Sequence, residues 1–263
     1  MPEGPETKQF VDSLNKFLSS TDDIMQIEVI SGRYTKKPIE GIEKVKFPLS
    51  LSKVSCKGKF IYWEFLNTDI VLFNTLGMSG GWSSKPKNAR VKFITNKGDL
   101  YFNDARNFGT LKFTTKTNLK NKLESLGPDM LNENVDSGTF IKSLRRKPNL
   151  TLAESLMNQH IISGVGNYLK SDSLWLAKLS PNRLVKNTND EELTNLCKCI
   201  SYVIRCAYEL NGKTILTYQT FDESPGSYSN LVYGKKFDPC GDAVICEETK
   251  DGRTTWWVPT IQK

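Results

Sequence analysis

The chain has 263 residues, enough for one large domain or two modest ones, each with its own core. Apolar residues make up 38% and charged residues 25%, a globular composition, and the net charge of +7 favours a polyanionic partner, nucleic acid first. No apolar run approaches the ~20 residues of a membrane span, and the first 20 residues lack the basic and apolar regions of a signal peptide.

The start, Met1-Pro2-Glu3-Gly4-Pro5-Glu6, can be chemistry or an ordinary frayed terminus. Methionine is readily trimmed before a small residue, which would leave Pro2 with a free secondary amine. An α-amino group titrates near neutrality, at roughly 7.7–8.0, so such an amine can attack a sugar carbon and collapse to an iminium. Glu3 and Glu6 are within reach as acids or bases.

Phe10, Val11, Leu14, Phe17 and Leu18 recur at helical spacing, predicting an amphipathic helix over residues 6–20. Short strands bounded by turn residues follow over Ile24–Ile30, Lys59–Phe65, Ile70–Leu76, Arg90–Thr95, Leu100–Asn103 and Leu111–Thr114. Strands at this spacing suggest a β-sandwich or barrel. The stretch from Leu126-Gly127-Pro128-Asp129 to Asp136 lacks periodicity and reads as a linker.

The pattern then turns helical. Thr151 with Glu154 and Thr188 with Glu191 both fit a capping box ahead of an apolar-periodic run. The second run extends from Leu193 to Leu210 and stops at Gly212. Three of the six cysteines (Cys197, Cys199 and Cys206) fall on it, as packing thiols of a reducing compartment. Residues 231–263 alternate again, around a turn at Lys250-Asp251-Gly252.

Four segments can carry binding chemistry. Ser163-Gly164-Val165-Gly166-Asn167 joins two helical patterns and is either a tight turn or a phosphate cradle at a helix start, with Asn167 as a further donor. Lys59, after Gly58 at a strand start, can neutralise a phosphate or sit as an exposed strand-end lysine. Met78 in Leu76-Gly77-Met78-Ser79-Gly80, with Arg106 and Phe108 in Asp104-Ala105-Arg106-Asn107-Phe108-Gly109, can form a base-displacing wedge with one reader of the orphaned base. They can equally be core Met and Phe with a surface Arg. Arg253, at a hairpin tip backed by Trp256 and Trp257, suits insertion between phosphates.

In their order along the chain, MPEGPE, KGKF, LGMSG, DARNFG, LGPD, NQHIISGVGNYL and VYGKKFDPCG…RTTWWVP resemble the formamidopyrimidine-DNA glycosylase and endonuclease VIII family over residues 1–262. The resemblance implies an α+β fold with an N-terminal β-sandwich and flanking helix in residues 1–128, and a linker at 129–145. A helix–two-turn–helix domain at 146–230 and a terminal β-hairpin at 231–263 complete it. It implies a monomeric, intracellular DNA glycosylase and abasic-site lyase acting on double-stranded DNA that contains oxidised bases or abasic sites.

On that resemblance Pro2 is the nucleophile that forms the Schiff base, Glu3 the proton donor and acceptor, and Glu6 a supporting carboxylate. Lys59, Asn167 and Arg253 grip phosphates, while Met78, Arg106 and Phe108 fill and read the vacated stack. Zinc-bearing members carry C-x2-C on each strand of the hairpin. Here Cys240 is followed by Ala243, and Val258 and Ile261 stand at the second pair, so the hairpin resembles the zincless finger of the endonuclease VIII-like branch, which includes viral members, and no metal or cofactor is expected. A short stretch between Thr214 and Leu231 favours oxidised pyrimidines and ring-opened purines, whereas LGMSG and DARNFG resemble the purine-specific branch, leaving an 8-oxoguanine preference open. A non-catalytic damaged-DNA binder of the same fold is the alternative of another class.

Overall fold

The computed structural model describes residues 2–212 and 226–263. The chain divides into two compact units, residues 1–124 with 211–227, and residues 125–210 with 228–263.

The first unit begins with α1 (Gly4–Phe17), whose Phe10, Val11 and Leu14 are buried at the spacing of one helix face. Eight strands follow: β1 (Asp23–Val29), β2 (Leu49–Lys57), β3 (Phe60–Phe65), β4 (Ile70–Thr75), β5 (Gly80–Ser83), β6 (Ala89–Thr95), β7 (Gly98–Asp104) and β8 (Thr110–Thr115). They pair antiparallel in the order β5-β7-β6-β1-β2-β3-β4-β8. The β1–β2 junction is held by only two residue pairs, Asp23 with Ser50 and Ile24 with Leu49, so the order falls into two four-stranded halves.

Aromatic rings show how the halves meet. Trp63 of β3 lies 5.1 Å from Trp82 of β5 and 5.7 Å from Phe93 of β6, centroid to centroid, in tilted arrangements. All three are buried, and they face across the gap as in a β-sandwich. Helix α1 joins the same core and is strapped to β2 by Asn15, whose side chain donates to the Val54 carbonyl at 2.7 Å and accepts from the Val54 N–H at 3.0 Å.

Helix α2 (Lys116–Ser125) closes this run, and the second unit carries α3 (Ser137–Arg145), α4 (Leu152–Met157), α5 (Asn167–Leu176), α6 (Asp190–Glu209) and the hairpin of β9 (Ile245–Thr249) and β10 (Arg253–Trp257). Part of the stretch read as a linker is α3. Its Asp136 cap accepts from the Thr139 N–H at 2.9 Å, and Phe140 and Leu144, one turn apart, are fully buried.

The capping box at Thr151 and Glu154 is present, with the Glu154 carboxylate 2.8 Å from the Thr151 N–H. The second box is shifted by one residue from the expectation. Thr188 closes a 3₁₀ turn through Val185, and Asn189 takes the cap, accepting from the Glu192 N–H at 2.9 Å. Glu192 reaches back to the Asn189 N–H at 2.8 Å. Along α6, Cys197 and Cys199 are buried in the core as plain packing residues, and burial raises both thiols above their ordinary value. Among the described residues no helix is long and apolar enough to cross a membrane.

Candidate functional site

In the first unit, Pro2, Glu3 and Glu6 are all buried, Glu3 as the residue that opens α1. Glu6 lies at the third helical position, and its carboxylate accepts from the Glu3 N–H at 2.8 Å. Thr7 donates its hydroxyl and its N–H to the Glu3 carbonyl at 2.8 and 3.0 Å. The backbone of Glu3 is therefore fixed from both sides. Glu6 positions Glu3, and through it Pro2, on a helix start that favours negative charge. Lys59 occupies the two-residue turn between β2 and β3, where Lys57 pairs with Phe60, and is half-buried.

Met78, Arg106 and Phe108 belong to two loops that the structure locks together. Buried Asp104 ties them: its carboxylate accepts from the Ser79 hydroxyl at 2.5 Å and from the Gly109 N–H at 2.6 Å. Ser79 in turn accepts from the Arg106 N–H at 2.9 Å. Arg90 donates to the carbonyls of Asp104 and Ala105 at 2.7 and 3.1 Å, and Arg33 donates to the Asn107 carbonyl. Gly77 lets the loops touch. Its φ is +60°, and a Cβ there would lie 2.8 Å from the Gly109 nitrogen and the Phe108 carbonyl carbon. On this brace the Arg106 guanidinium lies 5.0 Å from the centroid of the Phe108 ring. Phe108 is 52% exposed and Arg106 exposed, while Met78 is half-buried, so the pair presents an aromatic face and a donor fork outward. Asp104, Ser79, Arg90 and Arg33 were not singled out in the sequence. Asp104 and Ser79 stood inside the two motifs, but the arginines came from distant strands and turns with no local signal.

In the second unit the turn before α5 is braced by Gln159, another residue the sequence reading passed over. Its amide donates to the Val165 carbonyl at 2.9 Å and accepts from the Gly164 N–H at 3.0 Å. The LGPD segment is stitched to the same turn: Gly127 N–H to Gln159 carbonyl at 2.9 Å and Ser163 N–H to Pro128 carbonyl at 2.9 Å. A Cβ on Gly127 would meet the Ile161 carbonyl at 2.3 Å, so only glycine fits. Asn167 opens α5, and its amide donates to the Thr254 carbonyl at 2.8 Å. Arg253, exposed at the first position of β10, is the residue before Thr254, so one hydrogen bond joins the helix start to the strand that carries the arginine.

In the hairpin Cys240 and Cys246 are exposed and Val258 is buried, and among the described residues no cluster of three or more His, Cys, Asp or Glu side chains is placed to hold a metal ion. The stretch from Thr214 to Leu231 on which lesion choice was read lies largely outside the described residues.

Comparison with known proteins matches three family models along the chain: the formamidopyrimidine-DNA glycosylase N-terminal domain over residues 1–111, the H2TH domain of the same glycosylase over 126–219, and its C-terminal domain over 224–263. The formamidopyrimidine-DNA glycosylase of Rickettsia felis is 29% identical over 276 residues, covering 100% of this chain and 98% of the relative. That of the Wolbachia of Brugia malayi is 28% identical over 279 residues, covering all of both. Among solved structures, the MutM (Fpg) protein of Thermus thermophilus superposes with a TM-score of 0.88 at 26% identity, covering 99% of this chain and 98% of that one. A Lactococcus lactis Fpg variant in complex with DNA containing Fapy-dG gives 0.87 at 25% identity, with full coverage of both.

Proposed function

Because the chain belongs to the formamidopyrimidine-DNA glycosylase family and acts on damaged bases in DNA, we propose that it is bifunctional, excising the base and then cleaving the strand through a Schiff base on Pro2. The observation that carries this reading is the start of α1: a proline at position 2, buried beside two buried carboxylates, one of which holds the backbone of the other.

Once Met1 is removed, the Pro2 nitrogen attacks C1′ of the damaged nucleotide and the glycosidic bond breaks, the base leaving with a proton. Glu3 protonates the ring oxygen, the sugar opens, and the nitrogen becomes an iminium. Loss of a C2′ proton into that electron sink expels the 3′ phosphate, and a second elimination expels the 5′ phosphate. Hydrolysis of the remaining iminium releases the sugar fragment and regenerates the amine. Lys59, Asn167 and Arg253 contact phosphates, which supply affinity without sequence preference. Phe108 and Met78 fill the space of the extruded nucleotide and Arg106 reads its partner.

For substrate we propose ring-opened purines and oxidised pyrimidines. The Lactococcus lactis relative held on Fapy-dG DNA supports the first of these.

Borohydride reduction on an abasic duplex tests the mechanism. A covalent adduct mapping to Pro2 is expected, and an N-terminal extension of one residue should abolish it. Binding with no adduct would leave a damage-binding protein instead.

A further inference from the structure

Helix α5 is buried around its whole circumference from Tyr168 to Leu174, yet it carries Lys170 and Asp172. Both charged groups have partners in the segment that leads to, or forms, the hairpin. Asp172 accepts from the N–H groups of Leu231, Val232 and Tyr233 at 3.0, 3.0 and 3.1 Å and from the Tyr228 hydroxyl at 2.9 Å. Trp175 donates to Asp238 at 2.9 Å.

Lys170 is wholly buried. Its ammonium lies 2.7 Å from the Asp251 carboxylate and 2.7 Å from the Thr255 hydroxyl, with the Asp251 side chain 3% exposed. The other Asp251 oxygen accepts from Thr249, whose hydroxyl also lies 2.6 Å from that of Thr255. These four residues frame the turn and the first position of β10. Arg253 is exposed within that frame.

A buried ion pair adds little stability over apolar residues of the same volume, because desolvating both charges is costly. What it fixes is geometry. An ammonium with one acceptor in the turn, a carboxylate that also holds Thr249, and a second on β10 admits one register of the turn. We propose that Lys170 and Asp251 are positioning residues for Arg253, setting the hairpin turn from which the arginine reaches DNA. In a hairpin whose described residues offer no set of metal ligands, this pair ties the helix to the turn. The inference rests on the reading of Arg253 as a phosphate contact.

The test is equilibrium binding to a duplex bearing a non-cleavable abasic analogue, measured against salt for wild type, Arg253→Ala, the paired variant Lys170→Met with Asp251→Leu, and their combination. The paired variant strands no charge, so it should fold. One lost phosphate contact flattens the slope of log affinity against log salt by about 0.9, or about 3.5-fold in relative affinity across a fourfold rise in salt. Arg253→Ala and the paired variant should each show this change, and the combination no more than either alone. A paired variant with wild-type slope, or losses that add in the combination, would overturn the positioning role. If Arg253→Ala itself leaves the slope unchanged, the phosphate reading fails first and takes this inference with it. Should the paired variant not fold, Thr255→Val removes one acceptor from Lys170 and carries the same comparison.

Discussion

Replacing Phe108 with alanine separates the wedge from the core. The ring is 52% exposed, and the Arg106 guanidinium lies over it, 5.0 Å from the centroid. The loop backbone is held without it, by Asp104, Ser79 and Arg90. The fold should therefore lose no more than roughly 0.5 kcal/mol, as for other surface substitutions, a shift of about 1–2 °C in Tm. On DNA the cost appears only when a base has left the stack, where an aromatic platform contributes about 1–3 kcal/mol. At 1.36 kcal/mol per decade that is about a 5- to 150-fold slower single-turnover excision from duplex. Excision from a single strand, which has no stack to fill, should change far less. Equal slowing on both substrates, or a fall of more than about 4 °C in Tm, would show that Phe108 serves packing and not the wedge.

Two further substitutions probe the supports. Gly77→Ala forces a Cβ to 2.8 Å from the neighbouring loop at a φ of +60°, and should cost roughly 1–3 kcal/mol of stability and slow duplex excision as well. Chemical unfolding with duplex kinetics checks it, and a variant of wild-type stability would refute the tight-contact account. Asp172→Asn addresses pH. Burial raises the Asp172 carboxyl above the ordinary carboxylate range, against the pull of its four donors. The folded chain then holds more protons than the unfolded one between the two values, so this stability is full at low pH and lost as pH rises through the raised value. Asparagine cannot titrate, so the difference in unfolding free energy between wild type and Asp172→Asn should change across that window and be flat above it. A difference independent of pH from about 4 to about 7 would mean the carboxyl keeps an ordinary value.

Much of the first unit was legible because its strands alternate. Ile70–Thr75 and Ala89–Thr95 differ from the read strands by one residue at one end. The two strands not read have physical reasons for hiding. In β2 the register slips between Leu51 and Lys53, so the inward positions run Leu49, Leu51, then Val54, and the period of two is broken. Strand β5 is four residues long and begins Gly80-Gly81. Helix α2 buries only Leu119, too little for a periodic signal. Helix α3 has few apolar positions and no Glu or Gln at its third position to complete a capping box, which leaves Asp136 as its one sequence signal.

The site was legible in its protruding groups and opaque in what holds them. Arg106, Phe108 and Arg253, the groups proposed to meet DNA, stand at turns, where glycine punctuation draws the eye. Their supports are buried polar contacts between residues far apart in sequence: Arg90 with Ala105, Arg33 with Asn107, Lys170 with Asp251 across 81 positions. In one dimension the run Lys170-Ser171-Asp172-Ser173 has the composition of a solvated helix face. Its burial is decided by the hairpin that returns to cover it, and a charge covered in that way must find its counter-charge or hydrogen-bond partners in the covering segment. Charged residues on a helix with no solvent face therefore identify the element that packs on them: Asp172 identifies the approach at residues 228–233, and Lys170 the turn at residues 249–255. The terminal hairpin is thus specified from α5, and a substitution on that helix should change the DNA grip of a residue more than eighty positions away.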